Sequence, residues 1–224
     1  MTDARERLTR LIELASENAP EKQPALAFEL CDLLVAWPPR YPQIMREPFE
    51  ALLEKVLRRL DENTRRLIAT RLSTHSDTAV ALLNEFYFDV PVKARGHILE
   101  RNPEPPDEVA HGADIESEAR LVLAARRMGP IEFVSAFGAF LHVPTATAQS
   151  ILDDASGDAL AVACRGAGVR RATYSTLVVF AAGGTPDIHL ETLHARLTAF
   201  DTVPENGARR MLAYWRRSTG ARAA

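Results

Sequence analysis

Apolar positions along this chain recur at i, i+3, i+4 and i+7, the period of an amphipathic helix. The stretch from Asp61 to Pro103 shows it best and predicts three short helices in a row. The first spans about Glu62 to Leu72, with Leu60, Leu67, Ile68 and Leu72 on one side. Its polar side holds Asp61 four before Arg65 and Glu62 four before Arg66, the favourable order for ion pairs of ~0.3 kcal/mol each. Ser73-Thr74-His75-Ser76 supplies capping residues for a second helix beginning near Asp77. Its inner face is Ala79, Leu82, Leu83 and Phe86. Pro91 opens the third, Ile98 and Leu99 close it, and Pro103 stops it. Helices of roughly ten residues are marginal alone in water. They gain order by stacking on neighbours, the logic of a helical solenoid.

The same period predicts helices over residues 2–17 and 24–36, the second facing inward with Leu26, Leu30, Leu33 and Leu34. A further one over about 45–60 presents Phe49, Leu52, Leu53, Val56, Leu57 and Leu60, with Glu54 four before Arg58. An acidic, proline-bearing joint at residues 104–113 divides an N-terminal helical bundle, 1–103, from a C-terminal helical domain, 114–224. Asp114 is placed to cap the next helix, which runs to about Met128 with Ile115, Ala119 and Val122 inward. Gly129-Pro130 is a stop followed by a start, and Phe133, Phe137, Phe140 and Leu141 form an aromatic core stripe. An internal repeat follows. FLHVPTAT at 140–147 matches GAGVRRAT at 166–173 in shape, each copy reading as helix, tight turn, helix. Two closing helices, Ile188–Phe200 and Pro204–Arg217, end the array.

RRLIATRLSTHSDTAVALLNEFYFDVPVKARGHILERNP and, later, ILDDASGDALAVACRGAGVRRATYSTL are similar to sequences of an alphaproteobacterial domain-of-unknown-function family, number 2336. With the amphipathic N-terminal third, the resemblance covers most of the chain. It implies an all-α, HEAT-like α-solenoid of stacked helical hairpins, here with tandem helix-turn-helix-like hairpins in the C-terminal half. It implies an interaction scaffold and carries no catalytic residues with it.

Composition narrows the function classes. The hydrophobic share of 46% and charged share of 25% are those of a globular protein. A net charge of −3 gives no general pull toward nucleic acid. Cys31 and Cys164 fall in apolar helical contexts, the pattern of buried thiols in a reducing compartment. The N-terminus has no apolar signal region, and no apolar run approaches ~18 residues. A cytoplasmic protein is expected.

The candidate chemistry is thin. In the second repeat copy, Arg170, Arg171, Thr173, Tyr174, Ser175 and Thr176 are types that reach phosphates and base edges. The same spacing suits any tight α-hairpin, and the first copy ends in Asp153-Asp154, which repels phosphate. On the last helix, Arg209, Arg210, Arg216 and Arg217 have few acidic neighbours, while Met211, Leu212 and Trp215 share another face. This helix either docks on a partner or an acidic membrane surface, or caps the fold with Trp215 tucked in, and the cap is preferred. His189 and His194 are five residues apart, about 140° around a helix, and do not suit one metal. Gly166-Ala167-Gly168 follows no strand, and Pro39 with Pro42 is better read as a packed connection than as a polyproline ligand. The expectation is a non-enzymatic helical-repeat scaffold or regulator, without cofactor, that binds an unidentified protein partner. The alternative is a DNA-associated regulator using Arg170–Thr176.

Overall fold

The computed structural model describes Leu11 and residues 19–37, 41–73, 84, 86–100, 113–181 and 189–217. Among these, the chain forms helices and no strand. The expected helices over 2–17 and from Asp77, and the joint apart from Ala113, lie outside the described residues, save for buried Leu11, Asn84 and Phe86. The chain divides into two compact units, Met1–Ile98 and Leu99–Ala224.

In the first unit, α1 (Gln23–Val35) packs against α2 (Glu47–Leu57) and α3 (Glu62–Ser73); α4 (Val92–Glu100) begins after Pro91 and its last two residues fall in the second unit. The expected inner face of α1 is buried, with Leu26, Leu30, Leu33 and Leu34 all inside. Leu53, Val56 and Leu57 of α2 join them, along with Ile68, Ala69 and Leu72 of α3. Buried side chains of this size contribute roughly 1.5–3 kcal/mol each. Arg46, itself buried, donates from Nη2 to the Leu34 carbonyl (3.2 Å) and pairs through Nε with Glu50 at 2.9 Å. It thereby satisfies a carbonyl that the end of α1 leaves open. Burial pushes the Cys31 thiol up to about 11, so it stays protonated and packs as a small hydrophobe.

Two expectations for α3 are corrected. Leu67 is 62% exposed. It lies one residue, about 100°, off the stripe that Ile68 and Leu72 define. Asp61 does not pair with Arg65 but caps the helix, accepting from the Thr64 N–H at 3.0 Å and the Thr64 hydroxyl at 2.6 Å. Arg65 pairs instead with Asp89, 2.9 Å away. An Asp just before a helix start is worth more to the open N–H groups of the first turn than to a solvent-screened pair. The Glu62–Arg66 and Glu54–Arg58 pairs form as expected, at 2.6 and 2.5 Å.

The second unit comprises α5 (Ile115–Arg127), α6 (Pro130–Leu141), α7 (Thr145–Leu152), α8 (Asp158–Gly166), α9 (Arg171–Ala181), α10 (Leu190–Thr202) and α11 (Glu205–Arg217). Asp114 caps α5 as expected, accepting from the Ser117 N–H at 2.8 Å. Its inward face differs. Ile115 is 69% exposed and Ala119 is also exposed, while Glu118, Leu121 and Ala124 are buried. The helix is rotated by about one residue from the reading that the apolar pattern invites.

Helix α8 is the centre of this unit. Of its nine residues, only Asp158 and Arg165 are not buried, and a helix apolar on every side belongs inside. It packs against α7, α10 and α11. Three alanines, a cysteine and a glycine keep much of its surface small, so neighbouring backbones come close. A Cβ at Gly166 would stand 2.5 Å from the Ala208 carbonyl oxygen of α11. Met211, Leu212 and Trp215 of α11 are buried beside it.

This close approach generates a paired test. Gly166→Ala should lower stability by about 1–3 kcal/mol through overpacking. Gly96→Ala, in a helix interior where an added Cβ meets nothing within 4 Å, should raise it by up to about 1 kcal/mol. Urea unfolding of the two variants checks the opposite signs.

Candidate functional site

Two turns in the second unit share one construction. After α6, His142 takes φ 58°, and the N–H of buried Val143 donates to the Gly138 carbonyl at 3.0 Å. After α8, Gly168 takes φ 69°, and the N–H of buried Val169 donates to the Cys164 carbonyl at 2.9 Å. Each turn is a helix end closed by a left-handed residue and a bond back across the last turn. In each, the next helix starts two residues after the valine. The repeat seen in the sequence is thus a repeat of backbone geometry at the turn; α6 packs on α7, whereas α8 packs chiefly on α7, α10 and α11 rather than on α9.

The residues singled out for DNA contact are committed to contacts inside the unit. Glu118 of α5, 1% exposed, reaches the start of α9. Its carboxylate accepts from the Arg170 N–H at 3.3 Å, from Arg170 Nε at 3.0 Å and from the Thr173 hydroxyl. A carboxylate at a helix N-terminus meets both open N–H groups and the positive end of the dipole. Here it comes from a helix over fifty residues away and acts as a long-range cap. Thr173 is buried as a result, and Tyr174 is fully buried. The Tyr174 hydroxyl donates to the Arg196 carbonyl at 3.0 Å, and its ring stacks on Phe200 with centroids 4.4 Å apart. Burial pushes this phenol well above the usual tyrosine range. Arg171 grips Asp201 with both arms of its fork, Nε at 2.8 Å and Nη2 at 2.9 Å. That grip holds the Asp201 carboxyl below the ordinary carboxylate range. Ser175 donates to the Arg171 carbonyl of its own helix. Arg170 and Arg171 keep 56% of their side-chain surface exposed, but each faces an acidic partner.

The last helix docks on its own unit. Trp215 is 2% exposed. Arg216 donates from Nε to the Leu141 carbonyl at 2.9 Å, closing the end of α6. Arg209 pairs with Glu205, Arg210 is half-buried, and Arg217 is exposed. The five residues proposed as a partner contact therefore divide: Trp215 and Arg216 hold the fold together, and Arg217 faces solvent.

A groove of about 610 Å³ is a feature that the sequence reading did not anticipate. The ends of α5 and α9 form one side of it, and the end of α7 with the following loop forms another. Met128, Phe133, Val134, Leu152 and Phe180 supply its apolar lining. Arg126 lies over the Phe180 ring, 5.3 Å from its centroid. Across the lining, Gln149 donates to Asp153 at 2.7 Å, and Arg196 donates to the Ala155 carbonyl at 3.2 Å. Met128 and Phe180 are 48% and 40% exposed, and Ile131, next to the lining Pro130, is 84% exposed. The groove escapes a linear reading because its walls come from five helices, four of them contributing their ends, which meet only after packing. Among the described residues, no cluster of His, Cys, Asp and Glu is arranged to hold a metal ion. Burial raises the Cys164 thiol far above its usual range, which removes its nucleophilic form.

Residues 115–213 match the model of a family described as "Uncharacterised protein conserved in bacteria (DUF2336)". The match begins at the first residue of α5 and ends within α11, so it takes in both turns, buried α8 and the groove. No curated protein and no solved structure matches the chain.

Two sets of variants test the turn and cap assignments. His142→Gly should stabilise by about 0.5–1 kcal/mol, because glycine adopts the left-handed conformation without the Cβ clash. Gly168→Ala should destabilise by about 1–2 kcal/mol for the same reason. Thr173→Val should lose about 1–2 kcal/mol by removing a donor from buried Glu118, with Thr173→Ser keeping most of it. Thermal unfolding followed by Trp fluorescence reads all four. A Thr173→Val protein as stable as the parent would sink the long-range cap.

Proposed function

We propose that this chain, whose residues 115–213 belong to the DUF2336 family, is a non-enzymatic helical scaffold that works by binding protein, and that the groove of the second unit is its docking surface. One observation carries the reading: partly exposed Met128 and Phe180 gather at a concave surface whose lining mixes apolar side chains with polar ones. Exposed apolar side chains gathered at a concavity are the usual mark of a docking site. The titratable groups nearby do not form a nucleophile–base pair. Arg126 stacks on a ring, Asp153 accepts from an amide, and Arg196 braces a loop carbonyl.

A HEAT-like stacking of hairpins is the finer architectural proposal. Supporting it are the consecutive pairings α5–α6, α6–α7 and α7–α8. The burial of α8 against α10 and α11 adds a bundle-like centre to that array. The DNA-associated reading draws on the two similar helix-turn-helix stretches and the surface that Arg170 and Arg171 keep. It draws less support than the docking reading, because Glu118 and Asp201 offset both charges and Tyr174 faces inward.

Two measurements separate the readings. In pull-downs from the source bacterium, the chain should retain a protein that Phe180→Asp loses, while circular dichroism stays unchanged. In mobility-shift assays at low salt, no retardation of duplex DNA is expected. A shift that Arg170→Ala/Arg171→Ala abolishes would reverse the ranking.

A further inference from the structure

We propose that the occupant of the groove is a second copy of this chain, met across a twofold axis, with Arg126 of each copy facing Asp153 of the other. The proposal rests on the reading of the groove as a protein-docking surface and names its partner. Arg126 and Asp153 are both exposed and belong to different walls of the groove. Neither has an ion-pair partner among the described residues: Arg126 lies over Phe180, and Asp153 accepts only from the Gln149 amide.

An isologous interface uses the same patch twice, so a patch that fits itself must carry both signs of charge at separate points. This groove does, around an apolar lining that includes Met128 and Phe180. The whole-chain charge of −3 adds little repulsion between copies. Ile131, 84% exposed beside the groove, gives each copy an apolar group that its own fold leaves in water.

Sedimentation equilibrium of the purified full chain tests this. The wild type should associate reversibly to a dimer. Arg126→Asp and Asp153→Arg should each weaken association by about tenfold or more, since each places like charges opposite one another. An equimolar mixture of the two variants should associate again as a heterodimer, because both contacts then join opposite charges. A folding defect cannot produce that recovery. Ile131→Asp, at a site too exposed to affect folding, should also weaken the dimer. A wild type that stays monomeric at every concentration overturns the proposal, as does a mixture that fails to recover. If such a monomer still captures a protein that Phe180→Asp loses, only the second-copy assignment falls. If it captures nothing either, the docking reading falls with it.

Discussion

The burial of α8 is the constraint on which the second unit depends. A nine-residue helix with three alanines, one leucine, one valine, one cysteine and one glycine, charged only at Asp158 and Arg165, has too few bonds to persist alone. It persists because its neighbours remove nearly its whole surface from water. Small side chains make this possible, since they let α11 approach until a glycine is required at the crossing. The same closeness sets the role of α11. A helix carrying four arginines folds back as a lid because Met211, Leu212 and Trp215 have that centre to cover.

A second constraint follows from the shortness of the helices. Each end exposes backbone groups that need partners, and the chain finds several of them far away in sequence. Glu118 serves the start of α9, Arg216 the end of α6, and in the first unit Arg46 serves the end of α1. Charged residues that look like recognition groups are thereby drawn into holding the fold. Arg171 and Asp201 show the same economy at the surface, each favouring the charged form of the other. Arg126 and Asp153, on the lining of the groove, close no distant helix end.

Much of the local structure was legible from periodicity. Helix positions, the Asp114 cap, the proline starts and the 26-residue offset between the two turns all rest on interactions within a few residues, which a linear reading sees directly. The repeat was the most informative of these, because Val143 and Val169 mark the same backbone path after His142 and Gly168. The burial of α8 could also have been read, since Ala159–Gly166 has almost no polar face.

Sequence alone therefore settled that the described chain is helical, where most of its helices begin and end, and that one turn geometry is used twice. Tertiary structure decided which face of α5 turns inward, which arginines are spoken for, and that a groove exists. The reason is one of range. Helix period and capping act over about four residues, whereas Glu118 meets Thr173 fifty-five residues on, and the groove is made where four helix ends converge.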